Sequence, residues 1–228
     1  HGGDGNYQYG DFTLEKGSSY QELIDALCST VSYRETVTLT LPEGWNSFQM
    51  AKAAAAAGLC TEAEYLAAAN ALDYDFDWMK DISTNERKLT VLEGFLYPET
   101  YSFYTDATAR DIVTTQLREF QKKVLTEENR AALADSGFTL EQWVIFASIV
   151  QKESAGVEEM YNVSSVFHNR MKNTSEYPML QSCTTNNFIW DYVEPYYHDQ
   201  VPQAVLDAYD TYGEGFKPFP EAGAIQAQ

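Results

Sequence analysis

One acidic residue stands where it could act as a general acid. Glu153 ends a mostly apolar stretch that begins at Phe138. Helical spacing places its side chain on one stripe with Phe146, Ile149 and Val150. Apolar neighbours desolvate a carboxyl group and favour its protonated form, which can donate a proton to a leaving group. The alternative, that Glu153 lies beyond the apolar run and is solvated on the last turn, stays open from the pattern alone.

The helix that carries this carboxyl group has recognisable boundaries. Thr139 and Gln142 have the spacing of a capping box, and Ala155 and Gly156 supply a stop signal. A further helix is predicted from about residue 158 to residue 171.

The chain before this point predicts a small β-α-α-β unit followed by a mainly helical half. Strands are expected over residues 11–15, 37–41 and 89–97, with a turn fixed by Pro98 after the last of them. Capping patterns and apolar spacing predict helices that start at Ser19, over 47–57, 62–71 and 109–124, and after Thr126.

The charge balance limits the classes of partner. The 228 residues carry a net charge of −19 at pH 7, with 44% hydrophobic and 21% charged residues, as in a globular protein. The excess of acid argues against nucleic acid and against an anionic membrane surface, because both bind basic faces. It does not argue against an uncharged or zwitterionic polymer.

The sequence gives little support to metal or disulfide chemistry. Cys28, Cys60 and Cys183 are far apart and form no CxxC motif, and none of the three His residues stands at metal-ligand spacing from another. We expect no metal and no cofactor, although one chance disulfide stays open.

The N-terminus predicts a processed form or a fragment. The chain begins at His1, has no signal peptide, and contains no run of the roughly 20 apolar residues that a transmembrane helix needs. Any membrane anchor is therefore expected upstream. Residues 1–10, rich in Gly and Tyr, are expected to be a disordered start.

Six segments resemble, in the same order, those of the YceG-like endolytic murein transglycosylases, and the resemblance covers the chain from about residue 12 to the end. The segments are Thr40-Leu41-Pro42-Glu43-Gly44-Trp45, Leu92-Glu93-Gly94-Phe95-Leu96-Tyr97-Pro98-Glu99-Thr100-Tyr101, Ala147-Ser148-Ile149-Val150-Gln151-Lys152-Glu153, Val163-Ser164-Ser165-Val166-Phe167-His168-Asn169-Arg170-Met171, Leu180-Gln181-Ser182 and Tyr209-Asp210-Thr211-Tyr212.

The resemblance implies an α+β fold with two parts. A small LysM-like β-α-α-β domain is expected over residues 11–88, followed by a mainly helical, lysozyme-like catalytic domain over residues 89–228. The family continues beyond the last matching segment, which leaves open that the chain is truncated at its C-terminus.

The resemblance also implies a function. The family cleaves nascent peptidoglycan glycan strands internally and leaves 1,6-anhydro-N-acetylmuramic ends. It acts on the outer face of the bacterial cytoplasmic membrane, held there by an N-terminal anchor that is absent from this sequence. Glycan strands are thus the expected partner, with cell-wall synthases as further candidates.

Five residues take candidate roles from the matching segments. The family's catalytic Glu falls on Glu153, which would act as general acid and then as general base. Asn169, Arg170, Gln181 and Ser182 are the candidates for substrate binding. A structural role at the helix end is the alternative for Asn169 and Arg170.

Three departures from the family keep other readings open. Gln151 replaces an acid two residues before Glu153, Cys183 replaces an Asp, and Phe219 stands where an Asn-Pro-Gly segment is expected to begin. One alternative is a non-catalytic peptidoglycan-binding or scaffold protein of the same fold. Another is a hydrolytic muramidase, whose second carboxylate would be Asp191 or Glu194.

Overall fold

The computed structural model describes residues 12, 14–28, 35–84, 87–198, 200–213, 219 and 223–226. The helices within these ranges are α1 (Tyr20–Cys28), α2 (Ser47–Ala56), α3 (Glu62–Ala69), α4 (Ala109–Lys123), α5 (Glu127–Ser136), α6 (Leu140–Glu153), α7 (Val157–Lys172), α8 (Cys183–Phe188), α9 (Glu194–Tyr196) and α10 (Gln203–Tyr209). A 3₁₀ turn covers Asp77–Asp81, and a π-helical turn covers Ile189–Val193. The expected disordered start at residues 1–10 lies outside the described residues.

A two-stranded antiparallel sheet joins β1 (Thr36–Thr40) to β2 (Thr100–Tyr104). Its register pairs Thr36 with Tyr104 and Thr40 with Thr100. The helices α2 and α3 lie between the two strands in sequence, so the structure contains a β-α-α-β unit within a mainly helical, α+β fold. The second strand lies beyond residue 88, and the division of the chain into 11–88 and 89–228 stays a prediction.

Two of the predicted strands are wrong. The described residues of the first, Phe12, Leu14 and Glu15, belong to no strand. Residues 91–96 form turns, and the second strand of the unit starts only at Thr100. The reason lies at Gly94, whose φ of +87° reverses the chain, so that this apolar segment buries its side chains as a compact turn.

Local capping explains why the helices α2 to α6 begin where the sequence predicts. At α6, Thr139 Oγ1 accepts a hydrogen bond from Gln142 N at 3.2 Å, and Gln142 Oε1 accepts one from Thr139 N at 3.0 Å. The same reciprocal pair is present at the starts of α2, α3 and α4. These boxes satisfy backbone N–H groups that would otherwise lack partners in the first turn.

The helix α6 runs through the main hydrophobic core. Val144, Ile149 and Val150 are buried, together with side chains from β1, α2, α3 and the 91–96 turn. A second, smaller core consists of residues from α8, the π-helical turn, α10 and the segment 223–226, namely Phe188, Ile189, Val193, Val205, Ala208, Tyr209 and Ile225. Because so many of its side chains are buried, α6 is fixed in the core, and the position of its last residue, Glu153, is fixed with it. No helix in the described part of the chain is both long and apolar enough to cross a membrane.

Candidate active site

Glu153 is the last residue of α6, and its side chain is partly buried. The backbone leaves the helix at Ser154, whose Oγ donates to Val150 O at 2.6 Å. The chain then enters α7, so the carboxyl group lies at the corner between two packed helices. It lines a cavity of about 230 Å³ whose other walls are Val163, Val166, Phe167, Arg170, Gln181 and Cys183.

One carboxyl oxygen of Glu153 is held by the segment that follows α7. Its Oε1 accepts a hydrogen bond from Ser182 Oγ at 2.7 Å and another from the backbone N of Thr184 at 3.3 Å. Among the described residues, none donates to Oε2. The carboxyl group is thus fixed through one oxygen and open at the other.

Ser182 is fixed by a cluster of buried hydroxyl groups. Its backbone N donates to Thr211 Oγ1 at 3.0 Å, and its backbone O accepts from Thr211 Oγ1 and Thr185 Oγ1, each at 3.0 Å. Gln181, next to it, has a φ of +58° and donates its N–H to Thr211 O at 3.0 Å. A non-glycine residue in the left-handed region marks a backbone that its surroundings determine strongly.

The cavity contains one cationic side chain. Arg170, in the last turn of α7, donates a hydrogen bond from a terminal guanidinium nitrogen to Leu180 O, which orients the group. No acidic residue of the described ranges forms an ion pair with it. Its charge is therefore available to the cavity that it lines with Glu153.

Tyr212 contacts Cys183, one of the residues that line the cavity. The Cys183 Sγ and the Tyr212 hydroxyl lie 3.0 Å apart. The hydrogen bond with Cys183, followed by desolvation and by the charges of Cys183 and Glu153, raises the pKa of Tyr212 to about 12. The tyrosine therefore stays neutral at any physiological pH.

The structure brings three of the five predicted site residues to one cavity and places the other two elsewhere. Glu153, Arg170 and Gln181 line one cavity. Ser182 differs from the expectation of a groove-lining residue, because it is fully buried and lies behind the carboxyl group, to which it donates. Asn169 is exposed on α7 and does not line this cavity. The substrate-binding roles of these residues stay predictions.

Sequence reasoning missed Thr184 and did not identify the role of Thr211. Thr184 lies in the part of the Leu-Gln-Ser segment that departs from the family, so resemblance gave no signal for it. Thr211 lies in a matching segment, but only the fold shows that it contacts Ser182, 29 residues away.

The two further carboxylates considered for a hydrolase lie outside the Glu153 cavity. Asp191 is exposed and lines a separate, narrow cleft with Lys152 and Thr184, and Glu194 belongs to α9. Glu153 is the single carboxyl group among the residues that line its cavity. In the described part of the chain, no group of three or more His, Cys, Asp or Glu residues could hold a metal ion.

Comparison with solved structures supports the fold. The chain is similar to the crystal structure of a yceG-like protein from Listeria monocytogenes, with a TM-score of 0.64 and 22% sequence identity. The match covers 98% of this chain and 73% of the Listeria chain.

Comparison with curated sequences finds proteins named endolytic murein transglycosylase. The Bacillus subtilis protein is 26% identical over 179 residues, which are 75% of this chain and 49% of the Bacillus protein. The Streptococcus pneumoniae D39 protein is 27% identical over 180 residues, which are 71% of this chain and 32% of that protein. The chain thus spans half or less of the length of these relatives.

The sequence profile of the YceG-like family matches residues 1–220, almost the whole chain. The match includes the α6 segment that ends at Glu153, the α7 segment and the Ser182 region. This chain belongs to the YceG-like family.

Proposed function

We propose that the protein is an endolytic lytic transglycosylase that cleaves peptidoglycan glycan strands internally, with Glu153 as its general acid and then its general base. The observation that carries the proposal is the single carboxyl group in the cavity between the end of α6, α7 and residues 181–183. The names of the two curated relatives support the substrate class.

One carboxyl group is sufficient for this reaction because the attacking group belongs to the substrate. Glu153 donates its proton to the glycosidic oxygen, and the bond from that oxygen to the anomeric carbon of the muramic sugar breaks. The 6-hydroxyl of the same sugar bonds to the anomeric carbon, and the Glu153 carboxylate accepts the hydroxyl proton. The acid is regenerated, no water is consumed, and the product ends in a 1,6-anhydro ring. Intramolecular attack replaces the second carboxylate of a hydrolase.

The cavity walls fit a sugar with polar substituents. Val163, Val166 and Phe167 supply an apolar surface, while Arg170 and Gln181 supply hydrogen-bond donors beside the acid. Acid–base assistance contributes roughly 10²–10⁴-fold to the rate. Positioning and charge stabilisation at this corner must therefore supply the remainder.

We further propose that the protein acts outside the cytoplasmic membrane, where peptidoglycan strands are assembled. The expected LysM-like and lysozyme-like character of its two parts, and cell-wall synthases as partners, belong to the same proposal. The α+β fold and the family are compatible with them.

The test is to incubate uncrosslinked glycan strands with the parent protein and with Glu153→Gln, and to determine the masses of the strand ends. Glu158→Gln is the matched control, because Glu158 is an exposed acid in the first turn of α7 and does not line the cavity. We expect 1,6-anhydro ends from the parent and from Glu158→Gln, and none from Glu153→Gln. Intact strands that still bind the parent would instead identify a scaffold.

A further inference from the structure

We infer that Ser182 is a positioning residue for Glu153: together with the backbone N–H of Thr184 it holds the carboxyl oxygen Oε1 and leaves Oε2 to exchange the proton with the glycan. The inference rests on the proposed function, because it assigns separate roles to the two oxygens of the proposed acid. It replaces the expected groove-lining role of Ser182.

The hydrogen-bond donors decide which oxygen carries the proton. Thr184 N lies 3.3 Å from Oε1, and a backbone N–H can only donate. Ser182 Oγ, at 2.7 Å, donates to the same oxygen. Because these two bonds occupy the lone pairs of Oε1, the proton of the neutral acid belongs on Oε2. That oxygen accepts no hydrogen bond from the described residues and is free for the substrate.

A second hydroxyl group fixes the direction of the Ser182 bond. Thr184 Oγ1 lies 2.7 Å from Ser182 Oγ. A serine hydroxyl has one hydrogen, and if it points to Glu153 the Thr184 hydroxyl must donate to Ser182. The chain of donors therefore runs from Thr184 to Ser182 to Glu153, and each bond polarises the next.

The backbone at Ser182 is held in place by burial and by hydrogen bonds. Ser182 is 0% exposed, and its backbone N and O are both bonded to Thr211. Thr185 Oγ1 adds a third bond, to the same carbonyl oxygen. The donors are thus in place before a glycan enters, and such preorganisation is the main way in which a site stabilises developing charge.

This arrangement predicts a specific kinetic effect. Proton donation creates a carboxylate, and the two bonds to Oε1 stabilise that charge. Without the Ser182 hydroxyl one of these two bonds is lost, so the charge is less well stabilised and turnover falls. Substrate affinity should not change, because Ser182 is buried and does not line the cavity.

The other charged and titratable groups near the Glu153 carboxyl must be the same in every variant that is compared. Arg170 on α7, Cys183 at the start of α8 and Tyr212 beyond α10 face the cavity region, and Lys152 precedes Glu153 on α6. All four are retained in the variants below, so a change in kcat reports on the hydroxyl chain.

The experiment compares Ser182→Ala and Thr184→Val with the parent by the kcat and KM of anhydro-end formation. Thr184→Val removes the outer hydroxyl but keeps the N–H that bonds to Oε1. Ser165→Ala is the matched control, since Ser165 is exposed on α7 and bonds only to Asn162 O. We expect kcat to fall by about 10- to 100-fold in Ser182→Ala and by a smaller factor in Thr184→Val. The KM of both variants and all parameters of Ser165→Ala should match the parent.

An unchanged kcat in Ser182→Ala would overturn the inference, as would a raised KM with unchanged kcat, which would make Ser182 a binding residue. If circular dichroism shows that Ser182→Ala does not fold, the kcat and KM of Thr184→Val decide in the same way. A readout that does not need activity is the carbon-13 NMR chemical shift of the Glu153 carboxyl at a fixed pH, assigned with Glu153→Gln. This shift should change when the hydroxyl chain is cut, and an unchanged shift contradicts the inference. A parent that makes no anhydro ends contradicts only the proposed function.

Discussion

Gln226 donates a hydrogen bond from Nε2 to Oε1 of Gln151 at 2.9 Å, two residues before Glu153. The preceding residue, Ile225, donates its N–H to Ser148 Oγ on the same helix at 3.4 Å. The short segment 223–226 therefore lies along α6, close to its C-terminal end. Where the family usually has an acid, this chain has a neutral amide that is bonded to another neutral amide.

Replacing Gln151 with Met should remove this contact and lower the free energy of unfolding. The loss of one partly buried hydrogen bond costs about 1 kcal/mol, which urea denaturation can measure. The matched control is Gln203→Met, because Gln203 is exposed and its bond to Asp207 lies in solvent. Equal stability of the two variants would show that the Gln151 contact contributes nothing to α6.

Glu93 should make the protein less stable as the pH rises. Its side chain is buried, its Oε2 accepts a hydrogen bond from Ser47 N at 3.0 Å, and desolvation raises its pKa to about 7. Since this value lies above the unfolded value of 4.5, the folded state holds the proton more tightly. The contribution is constant below about pH 4.5, falls as the pH rises towards 7, and is lost above it, a change of about 3 kcal/mol.

The Glu93→Gln variant isolates this contribution. Its free energy of unfolding should lack the fall between pH 5 and pH 8 that the parent shows, and the parent-minus-variant difference in urea denaturation measures it. Glu99→Gln, at an exposed acid, should keep the parent's pH dependence. A parent and a Glu93→Gln variant with parallel pH dependence would contradict the expected effect.

Gly94 should tolerate no side chain. Its φ is +87°, and a Cβ built on it would lie 2.6 Å from Val144 Cγ1 on α6 and 2.7 Å from Ala224 Cβ. We expect Gly94→Ala to lower the free energy of unfolding by more than about 2 kcal/mol, because strain and overpacking add. Gly137 provides the control: its φ is +73°, but open space surrounds the position.

The comparison of the two alanine variants separates the clash from the backbone strain. Gly137→Ala should cost about 1 kcal/mol, the penalty of a left-handed conformation alone. If thermal unfolding shows the same loss at both positions, the turn at residues 91–96 does not press against α6 as described.

Alkylation of Cys183 should block glycan cleavage. This thiol is exposed and lines the cavity with Glu153, so an added carbamidomethyl group would occupy the space of the substrate. We expect iodoacetamide to abolish most of the activity of the parent and to leave Cys183→Ser active. Serine keeps a hydroxyl group near Tyr212, and Cys28, which is also exposed, stays reactive in both proteins. A Cys183→Ser variant that loses activity on alkylation would locate the effect at another cysteine.

Local signals in the sequence were sufficient for the helices α1 to α7, whereas α8, α9 and α10 were not predicted. A capping box joins residues three apart, so Thr139 and Gln142 define the start of α6 without any knowledge of the tertiary fold. The apolar stripe that ends at Glu153 follows from the same short-range periodicity. Both features depend only on residues that are close in sequence, so the tertiary fold does not change them.

Contacts between distant residues could not be predicted in this way. Ser182 reaches Glu153 across 29 residues, and this contact depends on how α7 folds back and on the left-handed turn at Gln181. The predicted strand at residues 89–97 is wrong for a related reason. This segment has a strand-like composition, but the chain reverses at Gly94 and packs as a turn against the core. At such positions the packing of side chains, rather than the strand propensity of the residues, decides the backbone conformation.

The most direct test of the single-carboxyl mechanism is glycan cleavage in oxygen-18-labelled water, followed by mass analysis of the new ends. If Glu153 delivers the proton while the sugar's own 6-hydroxyl attacks, the ends carry the anhydro ring and no labelled oxygen. Labelled reducing ends would show that water attacks, and would contradict the account.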